Sequence, residues 1–218
     1  MSNTSPDTTV AGADRNKFPL RTKKKAETRL KLVKAARDLF LSKGYEATTL
    51  EEVAEAAGLH VQTLYRHFAT KQELANAGDK FWLSKFKDAI TSPQREKDTF
   101  AFWRNWLTKS YDLMTEDGGV AYRQHIRMRH STPEVLGAIW EIQAEYEDLL
   151  TQALSKDFNI APDGPSIPRM AAGMLLTCNR YNLRSYQAMP NYDLQGETVR
   201  TVNMVKELFV QYLDRHSE

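Results

Sequence analysis

Between Val61 and Phe68 the chain reads Val-Gln-Thr-Leu-Tyr-Arg-His-Phe. Leu64 and Phe68 stand four residues apart and can anchor one face of a helix, so Gln62, Thr63, Tyr65, Arg66 and His67 point elsewhere. These five are hydrogen-bonding side chains. Gln can read adenine bidentately, Arg can read guanine, and Thr and Tyr can bond phosphates or pack on a thymine methyl. A merely solvated face would have the same composition, so a second feature is needed. Arg15, Lys17, Arg21, Lys23, Lys24, Lys25, Arg29, Lys31, Lys34 and Arg37 share their stretch with one acidic residue, Glu27, a local charge of +9. Such a block favours a polyanion, because each phosphate it neutralises releases condensed counterions.

Other chemistries find little support. The histidines at 60, 67, 125, 130 and 216 offer no HExxH motif and no paired Cys/His spacing, so no metal site is expected. Cys178 lies in the apolar run Met170 to Cys178, where a buried thiol is the ordinary outcome. No GxGxxG, P-loop or GxSxG pattern is present, so neither a cofactor nor catalysis is expected.

The elements that must position these residues follow from periodicity. Leu30, Leu32, Val33, Ala36, Leu39 and Phe40 recur at three- and four-residue spacing and predict a helix over 24–42, stopped by Gly44. Thr49 with Glu52 is a capping box opening a short second helix that ends near Ala57. Gly58 breaks it, Leu59 plugs the corner, and a third short helix runs through Val61, Leu64 and Phe68. Two short helices joined at a glycine behind a longer one are the layout of a helix-turn-helix, whose second helix enters the DNA major groove. Thr70 with Glu73 repeats the capping spacing and predicts one long fourth helix over 71–90. Further helices are expected at 97–116, 119–129, 133–157, 166–188 and 195–215. The fold class is therefore all-α, with an arm at 1–20 expected to be disordered, a DNA-binding domain at 21–70 and a helical domain at 71–218.

The whole chain has 218 residues and a net charge of only +2, with 41% hydrophobic and 27% charged residues. It has the composition of a globular chain, with no apolar run near the roughly 18 residues of a membrane span. One cysteine and no apolar signal at the N-terminus predict a reducing, cytoplasmic setting. The rival to a DNA-binding regulator is an all-α ligand-binding or catalytic protein whose basic N-terminus meets RNA, a membrane or a protein partner.

The run Thr49 to Ala57 followed by Gly58-Leu59-His60-Val61-Gln62-Thr63-Leu64-Tyr65-Arg66-His67-Phe68-Ala69-Thr70-Lys71-Gln72-Glu73-Leu74 resembles the tetracycline-repressor (TetR/AcrR) family of transcriptional regulators. The likeness covers roughly residues 24–75. It implies a one-component regulator, most often a repressor, with a C-terminal domain that dimerises and binds a small molecule. Tyr65 and His67 match positions that face the DNA backbone in the family, and Lys71 matches the lysine opening the fourth helix. His60 stands where the family usually has Ser or Thr, a weaker N-cap. The DNA-facing set expected from motif and resemblance together is Lys25, Thr49, His60, Val61, Gln62, Thr63, Tyr65, Arg66, His67 and Lys71.

For the C-terminal half, aromatic and Met positions suggest an apolar pocket with a few polar groups. The ligand set expected is Trp82, Phe86, Trp103, Leu107, Tyr111, Arg127, Trp140, Met174 and Cys178, taking an apolar or amphipathic effector. His125 to Pro133 is similar to a segment of family members that respond to acyl-CoA, which would make the effector a fatty acyl compound. Leu175, Leu183, Tyr186, Val202, Val205 and Phe209 form an apolar series on the last two helices. Such a series can build a four-helix homodimer interface that spaces two recognition helices on a near-palindromic operator, or it can close the core of one subunit.

Overall fold

The computed structural model describes residues 17–116, 118–161 and 166–215. Within these there are ten helices and no strand. The first, α1 (Lys17–Lys43), starts earlier than periodicity suggested, so the arm expected over 1–20 is helical from Lys17 on, and its remainder lies outside the described residues. Leu32, Ala36 and Phe40, each four residues apart, are its buried stripe, while residues 21–27 are exposed.

In α2 (Leu50–Ala56) the capping box is complete: Glu52 N–H donates to Thr49 Oγ1 at 3.2 Å, and Thr49 N–H donates to Glu52 Oε2 at 2.9 Å. The helix then closes in a Schellman turn. Gly58 takes φ +68°, Leu59 N–H bonds Ala54 O at 2.9 Å, and Gly58 N–H bonds Glu55 O at 2.9 Å. A side chain at residue 58 would strain that left-handed backbone, so this glycine sets the angle at which α3 (Val61–His67) departs. Leu64, Phe68 and Leu74 join Leu32, Phe40 and Val53 in one core.

The long fourth helix expected over 71–90 is two helices, α4 (Lys71–Ala75) and α5 (Ala77–Ile90). At the break, Asn76 is buried with φ −90° and ψ 3°, and its amide donates to Gln72 O at 2.9 Å. A side chain that bonds the preceding turn competes with the helical ladder, which accounts for the interruption.

Beyond it lie α6 (Thr99–Met114), α7 (Val120–Ser131), α8 (Pro133–Asp157), α9 (Ile167–Ala188) and α10 (Leu194–Arg215), close to the expected spans. Their core is aromatic: Phe86 meets Trp103, Trp106, Phe102 and Tyr146 at centroid distances of 4.7 to 5.9 Å. The two cores do not divide at residue 70. Ala77 of α5 and Val135 and Ile139 of α8 belong to the first, N-terminal core, so α8 is packed against both. No helix among the described residues is long and apolar enough to cross a membrane.

Candidate nucleic-acid interface

The face of α3 follows from its anchors. Leu64 and Phe68 are fully buried, and Gln62, Tyr65 and Arg66 are exposed with His60 at the N-cap. Val61, Thr63 and His67 are half-buried at the edges. No side chain caps α3, consistent with the weak N-cap expected of His60. Around this face sit exposed Lys25 on α1 and exposed Thr49, whose hydroxyl accepts the α2 cap bond and retains a proton to donate.

Two of the expected contacts, Tyr65 and Lys71, are held in place by other groups. Tyr65 OH donates to Glu51 Oε1 at 3.3 Å, and the charge of that carboxylate, with some burial, raises the phenol above its ordinary pKa. Lys71 Nζ donates to Glu46 O at 3.2 Å and lies 4.3 Å over the Tyr45 ring. Two ammonium protons remain for a phosphate, and the helix N-terminus beside it favours the same anion. His67 has its Nδ1 buried and unpartnered, and burial, then Lys25 and Arg29, lower its pKa. An imidazole kept neutral in this way is a hydrogen-bonding group and not a cationic phosphate clamp.

Sequence reasoning passed over one residue. Arg29, counted only within the basic run, donates from Nη1 to His67 O at 3.0 Å and lies 4.1 Å over the Phe68 ring. It satisfies a carbonyl at the C-terminus of α3 and ties the recognition helix to α1. The pair is 38 residues apart in sequence. Only the folded arrangement brings it together.

A family model, "Bacterial regulatory proteins, tetR family", matches residues 32–77, the stretch carrying this geometry. The HTH-type transcriptional regulator TcmR of Streptomyces glaucescens is 27% identical over 204 residues, covering 91% of this chain and 90% of that one. The helix-turn-helix stretch thus matches the tetR family of bacterial regulatory proteins, and the chain as a whole is similar to an HTH-type transcriptional regulator. Solved structures agree on the fold. SmeT, the repressor of a Stenotrophomonas maltophilia efflux pump, aligns with a TM-score of 0.62 and 23% identity over 81% of this chain and 87% of its own. FadR of Bacillus subtilis, solved with stearoyl-CoA, aligns with a TM-score of 0.61 and 17% identity over 81% and 96%.

The expected ligand set does not converge on one site. Phe86, Trp103, Leu107 and Tyr111 are buried in the aromatic core, where Phe86 packs edge to face with Trp103 and Trp106. Tyr111 is further fixed by a hydrogen bond to Asn179, and burial holds its phenol well above the ordinary range. Trp140, Met174 and Cys178 line a shallow groove between α8 and α9, with Trp140 53% exposed and Arg180 stacked over it at 5.3 Å. Burial raises the Cys178 thiol above its ordinary pKa, so it is a poor nucleophile. Arg127 points to solvent, because Ile126 and Arg129 take the inward side of α7.

Of that set only Trp82 borders a partly open cavity near the DNA-binding domain. That cavity, of about 510 Å³, lies between α1, α4, α5, α7 and the end of α6. The expected dimer residues are inside the subunit as well. Leu175, Tyr186, Val202, Val205 and Phe209 are buried, and Leu183 packs against the same core. The most exposed apolar residues of these helices are Met170 and Tyr181 on α9 and Met204 and Leu208 on α10, each 48 to 62% exposed, with Val199 and Val210 of α10 less so.

Proposed function

We infer that the protein is a one-component repressor that binds a near-palindromic operator as a homodimer and lets go when a small apolar or amphipathic molecule binds. The observation that carries the DNA half of this reading is the face of α3, with Gln62, Tyr65 and Arg66 exposed over buried Leu64 and Phe68. Base readers are assigned to Gln62, Thr63 and Arg66, and phosphate contacts to Lys25, Thr49, His60, Tyr65 and Lys71. Val61 packs at the edge of the groove, and His67 hydrogen-bonds without charge.

Dimerisation is assigned to the outward face of α9 and α10. Met170, Met174, Thr177 and Tyr181 follow a heptad spacing along α9. On α10, Thr201 accepts a hydrogen bond from Asn182 of α9 at 3.0 Å, and Met204 and Leu208, three and seven residues on, continue that side beside the α9 row. Effector control is supported by proteins of the same fold: SmeT has been solved with triclosan and FadR with stearoyl-CoA. The protein is read as cytoplasmic and as catalysing no reaction.

The test is a fluorescence-anisotropy titration of the intergenic DNA beside its own gene, repeated over a range of salt. The expected result is a sequence-selective complex that weakens steeply with salt and protects two half-sites about one helical turn apart or a multiple of it. Equal affinity for scrambled DNA at every salt concentration would refute the reading.

A further inference from the structure

The cavity between α1 and α7 differs from the filled aromatic core in having a polar wall. Asp79 of α5 and Arg129 of α7 form an ion pair there, Nη2 to Oδ1 at 3.2 Å, with 15 and 19% of their side chains exposed. The contact is single where a carboxylate and a guanidinium can make two. Asp79 Oδ2 and Arg129 Nε are shielded from water and have no partner. Each is separated by two bonds from the 3.2 Å contact. One small group that accepts from Nε–H and donates to the carboxylate could serve both, after a turn of the soft carboxylate torsion.

The rest of the lining sets the remaining chemistry. Phe40, Trp82 and Tyr122 contribute ring surface, and Met114 and Met128 contribute adaptable thioethers that suit aromatic contacts. The charges of the lining balance: Asp79 offsets Arg129 within, and at the exposed rim Glu116 stands against Arg37, which is also paired with Asp38. His125 borders the cavity, and burial, then Arg129, lower its pKa to about 4, so it adds no charge near neutral pH. A charged ligand would be buried without a counter-ion, whereas a neutral one would meet a matched wall.

We propose that this junction cavity is the effector site and that it takes a neutral fused-ring aromatic carrying a hydroxyl. The proposal rests on the regulator reading above and gives it a site and a ligand class. At about 510 Å³ the cavity is in the range of small-molecule sites and has room for a ligand of several rings. Its position gives the coupling a physical basis. Phe40 on one wall belongs to the N-terminal core, and Tyr122 and Arg129 on the other belong to α7, so an occupant senses how α1 sits against α7. Any change in operator affinity it causes must be matched by an equal change in its own affinity when DNA is bound.

The probes are 2-naphthol, naphthalene and 2-naphthoate, titrated into the DNA-free full chain by calorimetry. 2-Naphthol is expected to bind at least tenfold more tightly than naphthalene and than the anionic 2-naphthoate. Gly78 lines the cavity, and a Cβ there meets nothing within 4 Å, so Gly78→Leu fills the space without disturbing the backbone. That variant should keep its melting temperature, still select its operator over scrambled DNA, and lose 2-naphthol binding at least tenfold. Asp79→Asn paired with Arg129→Gln should keep naphthalene affinity and erase the preference for naphthol. Failure of 2-naphthol to bind, unchanged binding in Gly78→Leu, or preference for naphthoate would each overturn the site or its ligand class. Equal naphthol affinity with and without saturating operator would overturn the effector role. Because the ligand titrations use protein without DNA, their failure leaves operator binding untouched, and a failed operator titration leaves them readable.

Discussion

At the scale of single residues, position on a helix separates groups of like chemistry. Arg66 is exposed on α3, whereas Arg129 turns inward to Asp79 and Arg127, two residues before it, turns out. Substituting Arg66 with Ala should relax preference at one operator position by about 1 to 3 kcal/mol, measured by competition among single-base variants. Lys71→Met keeps an unbranched side chain and removes the ammonium that lies over Tyr45, so it should weaken all sequences alike and lower the salt slope by about one. The outward chemistry of α3 was legible from Leu64 and Phe68 alone, because two anchors four residues apart fix a helix face. The lowered pKa of His67 and the inward turn of Arg129 were not, since the first depends on burial and then on Lys25 and Arg29 of α1, and the second on Asp79 arriving from α5. His125 gives a pH dependence with a definite sign. Its native pKa is held near 4 by burial, then Arg129, with Arg37 acting in the same direction and Asp79 opposing. Between the ordinary value near 6.5 and about 4 the unfolded chain takes up a proton that the native state refuses. Stability contributed by the neutral imidazole is therefore complete above pH 6.5 and drains as pH falls, by up to about 1.4 kcal/mol per unit. Urea midpoints of the parent and of His125→Gln at pH 7 and 4.5 should show a smaller acid loss in the variant. Equal losses would place the acid sensitivity elsewhere.

At the scale of elements, signals written into neighbouring residues were readable and those created by one buried side chain were not. The capping box at Thr49 and Glu52 and the Gly58 stop are local chemistry, and both are in the structure as the sequence implied. Thr49→Ala should accordingly cost about 1 kcal/mol of stability, read from denaturant midpoints, with α2 losing amide protection first. The break at Asn76 has no such signature. Apolar periodicity runs unbroken through it, and the interruption arises because a buried amide bonds Gln72 O, while Gln72 itself donates to Glu134 O at the start of α8 at 2.5 Å. The short α4 is thus tied to α8 on one side and, through Lys71, to the α1–α2 corner on the other. Instead of one continuous helix from DNA to core, the chain has a break between α4 and α5 with the junction cavity beside it. Asn76→Ala should let the two helices merge. Amides from 74 to 80 are expected to exchange more slowly in the variant, and any effector-induced change in operator affinity should shrink.

At the scale of the whole molecule, apolar spacing locates a packed face but not which body it packs against. Val202, Val205 and Phe209 on α10 and Leu175 and Tyr186 on α9 have the spacing of an interface, and they are buried inside a single subunit. The distinction was illegible because a subunit core and a dimer core select the same residue types; only the helices' actual neighbours, α6 and α8 packed against α10 and α9, decide it. What remains for a second copy is the outward row, and its composition is that of a surface expecting cover: Tyr181 is 62% exposed, Met170 57%, Leu208 52% and Met204 48%. Four large apolar side chains in adjoining rows are more than isolated surface residues. Two kinds of substitution separate these roles. Tyr181→Glu with Leu208→Glu places charge on the outward row without touching either core, so the chain should stay folded, with an unchanged melting temperature once dilute, and sediment as a monomer at micromolar concentration. Its operator affinity should fall by about a hundredfold or more, since the second half-site no longer binds at high effective concentration. Leu175→Ala should do the reverse, costing about 2 to 5 kcal/mol of subunit stability while the folded fraction still dimerises. A parent chain that is monomeric at micromolar concentration, or a double-Glu variant that remains a dimer, would remove the outward row from the interface.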